Sequence, residues 1–203
     1  RCDVKQKVVF VDRDDTLIRT GYQGYWYITA PNQVQFFTGV LEGLKRLRDA
    51  AVPVFCVTTQ NCVPKGVITK EELVAIHDAI LYRVDAALSS MVDIGVVFGD
   101  AVIGKTELIK WQQNIQNMLA VDEVEYWMIG DLPTDIEAGA ATGCKTIHLW
   151  YPETEFHIAV NGDPEIAKKH SWDRRPKTSA DYEVSGFLEA VEIILREEGR
   201  DGL

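Results

Sequence analysis

Short apolar runs alternate along the chain with segments whose apolar residues recur at helical spacing. Lys7–Val11 (KVVFV) reads as a buried strand, and Gly39–Ala51, with Leu41, Leu44 and Leu47, as a helix. Val52–Val57 (VPVFCV) is a second strand, with Pro53 near its start, where a missing N–H does least harm. Thr69-Lys70-Glu71-Glu72 forms a capping box, Thr69 as N-cap and Glu72 reaching back. The helix behind it puts Leu73, Ile76, His77, Ile80, Leu81 and Val84 on one face. Val92–Phe98 is a third strand, Glu107–Leu119 a helix and Tyr126–Ile129 a fourth strand. Thr134-Asp135-Ile136-Glu137 is a second capping box, and Gly143 stops the helix that it opens. Lys145–Leu149 is a fifth strand; Asp181–Val184 and Gly186–Arg196 are a last strand and helix.

Strands alternating with helices predict an α/β fold: a doubly wound, mostly parallel, Rossmann-like sheet covered on both faces. Ligands of such sheets sit at the carboxyl ends of the strands. A chain of 203 residues suits one domain, here 1–203. Two stretches lack periodicity. Residues 19–36, rich in aromatics and glycine, follow the first strand and read as a flap whose Tyr25, Trp26 and Tyr27 are candidates to line a pocket. Residues 151–178 read as an irregular insertion. The intervals from Asp12 to Thr58 and from Thr58 to Lys105 are filled by core elements, which leaves no room for a separate cap domain.

Composition narrows the function classes. The formal net charge of −10 disfavours a nucleic-acid partner, and the basic run Lys168, Lys169, Arg174, Arg175 and Lys177 reads as a solvated loop. No apolar run reaches the roughly 18–20 residues of a membrane span. Arg1 to Lys5 lack the apolar stretch of a signal peptide. Cys2, Cys56, Cys62 and Cys144 form no C-x-x-C pair, and Cys56 and Cys144 read as small core residues. A reduced, cytoplasmic protein is expected.

The strand ends carry the chemistry. The first gives Asp12-Arg13-Asp14-Asp15-Thr16-Leu17, the second Thr58-Thr59-Gln60-Asn61, the third Gly104-Lys105-Thr106, and the fourth Gly130-Asp131-Leu132-Pro133-Thr134-Asp135. Taken singly, an acid at a strand end is a helix cap or turn residue, and a lone lysine is a solvated one. Together they place several carboxylates on one edge of the sheet. Each like-charged pair a few Å apart costs about 4 kcal/mol at an intermediate dielectric, so a cation is required. Mg²⁺, a hard ion with oxygen ligands, fits, and Lys105 supplies a second positive centre. An aspartate kept ionised in such a place can attack phosphorus.

Asp-x-Asp-x-Thr behind an apolar strand, then Thr58, then Lys105, then Gly-Asp-x-x-x-Asp resembles the haloacid dehalogenase-like phosphatase superfamily. Asp12-Arg13-Asp14, Gly39-Val40-x-x-Gly-Leu, Thr58-x-Gln60 and Thr69-x-Glu71-Glu72-Leu73 through His77 resemble the branch acting on heptose bisphosphate and histidinol phosphate. The resemblance implies a phosphatase with Asp12 as nucleophile, Asp14 as acid and then base, and Thr58 and Lys105 on the transferring phosphoryl group. It also implies that Asp12, the Asp14 carbonyl and Asp131 bind Mg²⁺, and that Asp135 orients the metal shell or Lys105. Arg13, Thr59 and Gln60 are the candidates for substrate contact. A small phosphorylated metabolite such as a sugar phosphate is the implied substrate. Residue 15 is Asp where the branch has Gly, residue 59 is Thr where Asn is usual, and the Arg-Lys-Pro around the lysine is absent. Gly95–Lys105 holds no Cys or His, so no structural zinc is expected.

Other readings compete with this one. Gly99–Thr106 matches the phosphate-binding loop G-x-x-x-x-G-K-T of nucleotide-binding proteins and kinases. The β-branched Val102 and Ile103 suit such a loop poorly, and it leaves Asp12, Asp14 and Asp135 unexplained. A 3′-polynucleotide phosphatase fits an uncapped site, against the net charge. A non-catalytic binder on the same fold would lack Asp12 or Asp14. His77 reads as a core-face histidine, and His148, His157 and His170 lack ligand spacing.

Overall fold

The computed structural model describes residues 5–20, 27–88, 94–99, 103–120, 123–152, 154–155 and 175–196. Cys2, Tyr25, Trp26, His157, His170, Lys168, Lys169, Arg174 and residues 100–102 lie outside them, as does most of the expected insertion. Elements follow in the order β1 (Gln6–Val11), α1 (Val40–Asp49), β2 (Val54–Thr59), α2 (Lys70–Leu88), β3 (Ile94–Gly99), α3 (Lys105–Leu119), β4 (Val124–Gly130), α4 (Pro133–Ala141), β5 (Lys145–Leu149), β6 (Tyr182–Val184) and α5 (Phe187–Arg196). The strands form one six-stranded sheet in the order β3-β2-β1-β4-β5-β6. Every neighbouring pair is parallel. The order reverses at β1, which lies between β2 and β4, so the crevice at that switch point opens beyond Val11.

The apolar runs are continuous because both faces of the sheet are covered. Val9 and Val11 pack on the side of α1, α2 and α5, with Leu44, Leu47, Ile76, Ile80, Phe187 and Ile194. Val8 and Phe10 point the other way, toward Leu108 and Ile109 of α3 and Ala138 of α4. Cys56, Cys62 and Cys144 are buried free thiols. Among the described residues no helix is long and apolar enough to cross a membrane, and no separate cap sits over the sheet edge.

Element ends follow local chemistry. The Thr69 hydroxyl accepts from the Glu72 N–H at 3.1 Å, and the Glu72 carboxylate accepts from the Thr69 N–H at 2.7 Å, as the capping box predicts. Pro53 lies just outside β2, its carbonyl accepting from the Val9 N–H at 3.0 Å. The second predicted box is corrected: α4 opens not at Thr134 but at Leu132, with Pro133 in the first turn and Asp135 reaching back to the Leu132 N–H at 3.0 Å. Proline's fixed φ and missing N–H favour that first position, which moves the cap two residues upstream. Gly143, at φ +74°, ends the helix, with the Cys144 N–H donating to the Gly139 carbonyl at 3.0 Å.

Candidate active site

The turn after β1 is built by its own backbone. The N–H groups of Leu17 and Ile18 both donate to the Arg13 carbonyl at 3.0 Å, and the Asp15 N–H donates to the Ile18 carbonyl at 2.8 Å. Asp15 takes a left-handed conformation, φ +54°. Its carboxylate accepts from the Thr20 N–H and hydroxyl, both at 2.8 Å. Aspartate tolerates this conformation through such local bonds, so the side chain does part of what a glycine's freedom would do. The turn projects Asp12 and Asp14 past the sheet edge, with the Asp12 N–H held by the Ile129 carbonyl at 2.9 Å.

The end of β4 meets it. Gly130 is required there, because a Cβ at this position would lie 2.3 Å from the Asp135 Cβ. Asp12, Asp131 and Asp135 are buried and offer carboxylate oxygens within 4.8 Å of one another. The Thr16 hydroxyl donates to Asp131 at 3.3 Å, and His148 Nε2 donates to the Asp131 carbonyl at 3.0 Å. Lys105, first residue of α3, lies 2.5 Å from Asp12 Oδ1 and also bonds Asp135 Oδ1. A cation at a helix N-terminus opposes the helix dipole, and these two carboxylates offset that cost.

One lysine does not balance the cluster. Burial, reinforced by Asp135 and Asp14, pushes the Asp12 carboxyl up to about 7 despite the pull of Lys105. Burial with Asp135 and Asp12 raises Asp131 well above the carboxylate range. Burial alone would lower Lys105, but Asp12 and Asp135 raise it, so it stays charged. Buried oxygens short of positive charge fit a hard divalent cation, and so the donor set fits Mg²⁺. Both Asp135 oxygens are engaged, one by Lys105 and one by the Leu132 N–H, which leaves Asp12 and Asp131 as the donors facing outward.

Asp14 has a different environment. Arg13 grips its two oxygens at 2.9 and 3.0 Å, and Gln60 Nε2 adds a bond at 3.0 Å. Burial would raise the Asp14 carboxyl, but the Arg13 guanidinium and these bonds hold it below the ordinary range. Gln60 Nε2 also donates to the Thr58 hydroxyl at 2.6 Å.

A cleft of about 980 Å³ opens over these groups, and Asp12, Asp14, Thr58, Thr59, Lys105 and Asp131 all line it. Tyr27 of the expected flap lines it too, as do Asp15, Thr20 and Trp150. Arg13 and Gln60 lie beneath the cleft, 1 % and 4 % exposed. His77, expected as a core histidine, is buried but bonds the Arg13 guanidinium at 3.0 Å. Thr16 closes the Asp-x-Asp-x-Thr motif, whereas no motif points to His148 or Trp150. The pairing of Gly130 with His148 in the β4–β5 register is what brings that histidine to Asp131. Of the G-x-x-x-x-G-K-T match, Lys105 is committed to Asp12 and Asp135, so a nucleotide loop would lack its lysine.

Comparison with known proteins gives a family match and shared folds. The HAD-hydrolase-like family model matches residues 103–149, from α3 through β5. The chain is 26% identical over 153 residues to the D-glycero-beta-D-manno-heptose-1,7-bisphosphate 7-phosphatase of Haemophilus ducreyi, covering 70% of this chain and 81% of that protein. It is 26% identical over 157 residues to the histidine biosynthesis bifunctional protein HisB of Bacteroides fragilis, covering 72% of this chain but 40% of that longer protein. The D,D-heptose 1,7-bisphosphate phosphatase of B. bronchiseptica, solved with magnesium and phosphate, has a TM-score of 0.65 at 22% identity, covering 95% of this chain and 99% of that one. The corresponding enzyme of Burkholderia thailandensis has a TM-score of 0.60 at 20% identity, covering 94% and 99%. The fold is shared with both.

Proposed function

We propose that this chain, a haloacid dehalogenase-like hydrolase by family match and fold, is a Mg²⁺-dependent phosphomonoester hydrolase that forms a phospho-aspartate on Asp12. The observation that carries the reading is the convergence of Asp12, Lys105, Asp131 and Asp135 at the switch point of the sheet, with Asp14 beside them on the cleft. Asp12, Asp131 and the Asp14 carbonyl would hold Mg²⁺, which would supply charge neutralisation for the phosphoryl oxygens.

The chain's own residues do the rest. An Asp12 carboxylate oxygen attacks phosphorus as the bond from phosphorus to the leaving oxygen breaks. Asp14 gives its proton to that leaving oxygen. Water then attacks the acyl phosphate, its proton goes to Asp14, and the Asp12 carboxylate is restored. At rest Asp14 is ionised, held so by Arg13. An anionic phosphoryl group entering beside it raises its pKa and favours the proton that the first step needs. Lys105, kept charged by Asp12 and Asp135, and the Thr58 hydroxyl lie on the cleft where the transferring oxygens pass.

The substrate is a small phosphorylated metabolite such as a sugar phosphate, heptose-bisphosphate-like. The relatives' names support this class, and so does a cleft large enough for a sugar, with no separate cap among the described residues. Phosphate release from a panel of sugar phosphates, histidinol phosphate and 3′-phosphorylated oligonucleotides, with Mg²⁺ and with chelator, tests it. The expected result is Mg²⁺-dependent release with a sugar phosphate first in kcat/KM. An oligonucleotide in first place would replace the substrate class, and no release from any would remove the activity.

A further inference from the structure

Arg13 lies between the nucleophile and the acid–base residue in sequence, yet its side chain turns away from the cleft. It is one of the largest fully buried side chains in the molecule. A guanidinium has five N–H donors and no acceptor, so a buried one is tolerable only among acceptors. Here each is specific. Nε and Nη2 form a fork on the two oxygens of Asp14, Nη2 also reaches Gln60 Oε1 at 2.8 Å, and Nη1 meets His77 Nε2 at 3.0 Å. Because arginine only donates, His77 Nε2 accepts, which places the imidazole proton on Nδ1. Burial and then the Arg13 charge push His77 down to about 4, consistent with a neutral ring. The remaining buried positions of α2 are Leu73, Ile76, Ile80, Val84 and Leu88, so His77 is an imidazole set among aliphatics and aimed at a guanidinium.

Asp14 is the exposed end of this chain of contacts, with 31% of its side chain accessible against 1% for Arg13. A bidentate fork fixes the plane of a carboxylate as well as its distance. Gln60 Nε2 donates to the same Oδ2 that Nη2 holds, its amide orientation set by the need to present Oε1 to Arg13.

We infer that Arg13, anchored by His77 of α2 and by Gln60, is a positioning residue that aims the Asp14 carboxylate for proton transfer and does not itself bind substrate. The inference rests on the hydrolase reading above. It gives α2 a part in the acid–base step and identifies His77 as the anchor in that helix.

Proton donation matters most when the leaving oxygen is basic. A positioning defect at Asp14 therefore weighs more on an alkyl phosphate than on an aryl phosphate whose phenol leaves unaided. Two variants test this with Mg²⁺ present, on glycerol phosphate and para-nitrophenyl phosphate, after circular dichroism confirms folding. His77→Leu keeps bulk and removes the acceptor. It is expected to lower kcat/KM on the alkyl phosphate by about 10–100-fold and on the aryl phosphate by a far smaller factor, as loss of an orienting contact does elsewhere. His77→Gln, whose carbonyl can accept from Nη1, is expected to recover most of the loss. Arg13→Lys keeps the buried charge but loses the fork, and is expected to show the same leaving-group signature with KM unchanged. Equal losses on both substrates, no recovery by glutamine, or a raised KM with kcat unchanged in Arg13→Lys would overturn the positioning role alone. If His77→Leu does not fold, Arg13→Lys decides. A folded wild type that hydrolyses neither substrate would instead sink the hydrolase reading.

Discussion

Asp12 and Asp14 are two residues apart, yet their surroundings push them in opposite directions. Burial and neighbouring acids raise Asp12 to about 7, whereas Arg13 and Gln60 hold Asp14 low. A divalent ion would relieve the first, and the fork keeps the second in place. His77 carries a consequence for stability. It stays neutral in the folded protein down to about 4, while an unfolded imidazole takes up a proton below about 6.5. Its contribution is therefore present above pH 6.5 and lost as pH falls from 6.5 to about 4, by at most about 3 kcal/mol. Asp12, whose pKa is raised, works in the opposite sense between its ordinary 3.8 and about 7. Urea denaturation of wild type and His77→Leu at matched pH values separates the two. Wild type is expected to lose more stability than the variant between pH 7 and pH 5, and equal losses would show that His77 is not held neutral.

At the scale of elements, Gly130 ties β4 to α4. An added methyl collides with the Asp135 Cβ, so α4 must shift and Lys105 loses its anchor. Gly130→Ala is expected to cost about 1–3 kcal/mol by overpacking. A displacement of the order of 1 Å would also lower kcat about a hundredfold. Denaturation and steady-state kinetics check the two figures separately. The elements themselves were legible: Lys145–Leu149 matches β5 residue for residue, and Thr69 caps α2 as its hydroxyl and Glu72 dictate. The motif acids and Lys105 were legible because topology alone carries strand ends to one edge. What pattern could not supply was side-chain direction. Arg13 and Gln60 flank the site in sequence but point beneath it, and His77 occupies a helix face where periodicity predicts packing and says nothing of an acceptor. The cap of α4 was misplaced because two overlapping acid patterns compete there, and only Pro133 decides between them.

For the molecule as a whole, the proposed metal site would couple ion binding to stability at the switch point of the sheet. Asp131 is buried, raised in pKa and short of a cation partner of its own in the cluster. In chelator, Asp131→Asn is therefore expected to melt at or above the temperature of wild type. Magnesium is expected to stabilise wild type by about 3 kcal/mol at a hundredfold excess over the dissociation constant. The variant is expected to lose that gain. Differential scanning calorimetry of the two proteins with and without the ion reads both effects, and a magnesium shift retained in Asp131→Asn would remove Asp131 from the metal site. The covalent step on Asp12 is read directly by mass spectrometry of enzyme quenched in acid during turnover of a phosphomonoester. One phosphoryl group is expected on the peptide containing Asp12, absent in chelator and absent in Asp12→Asn, which also releases no phosphate. A phosphoryl group on another residue, or phosphate release that persists in Asp12→Asn, would contradict it.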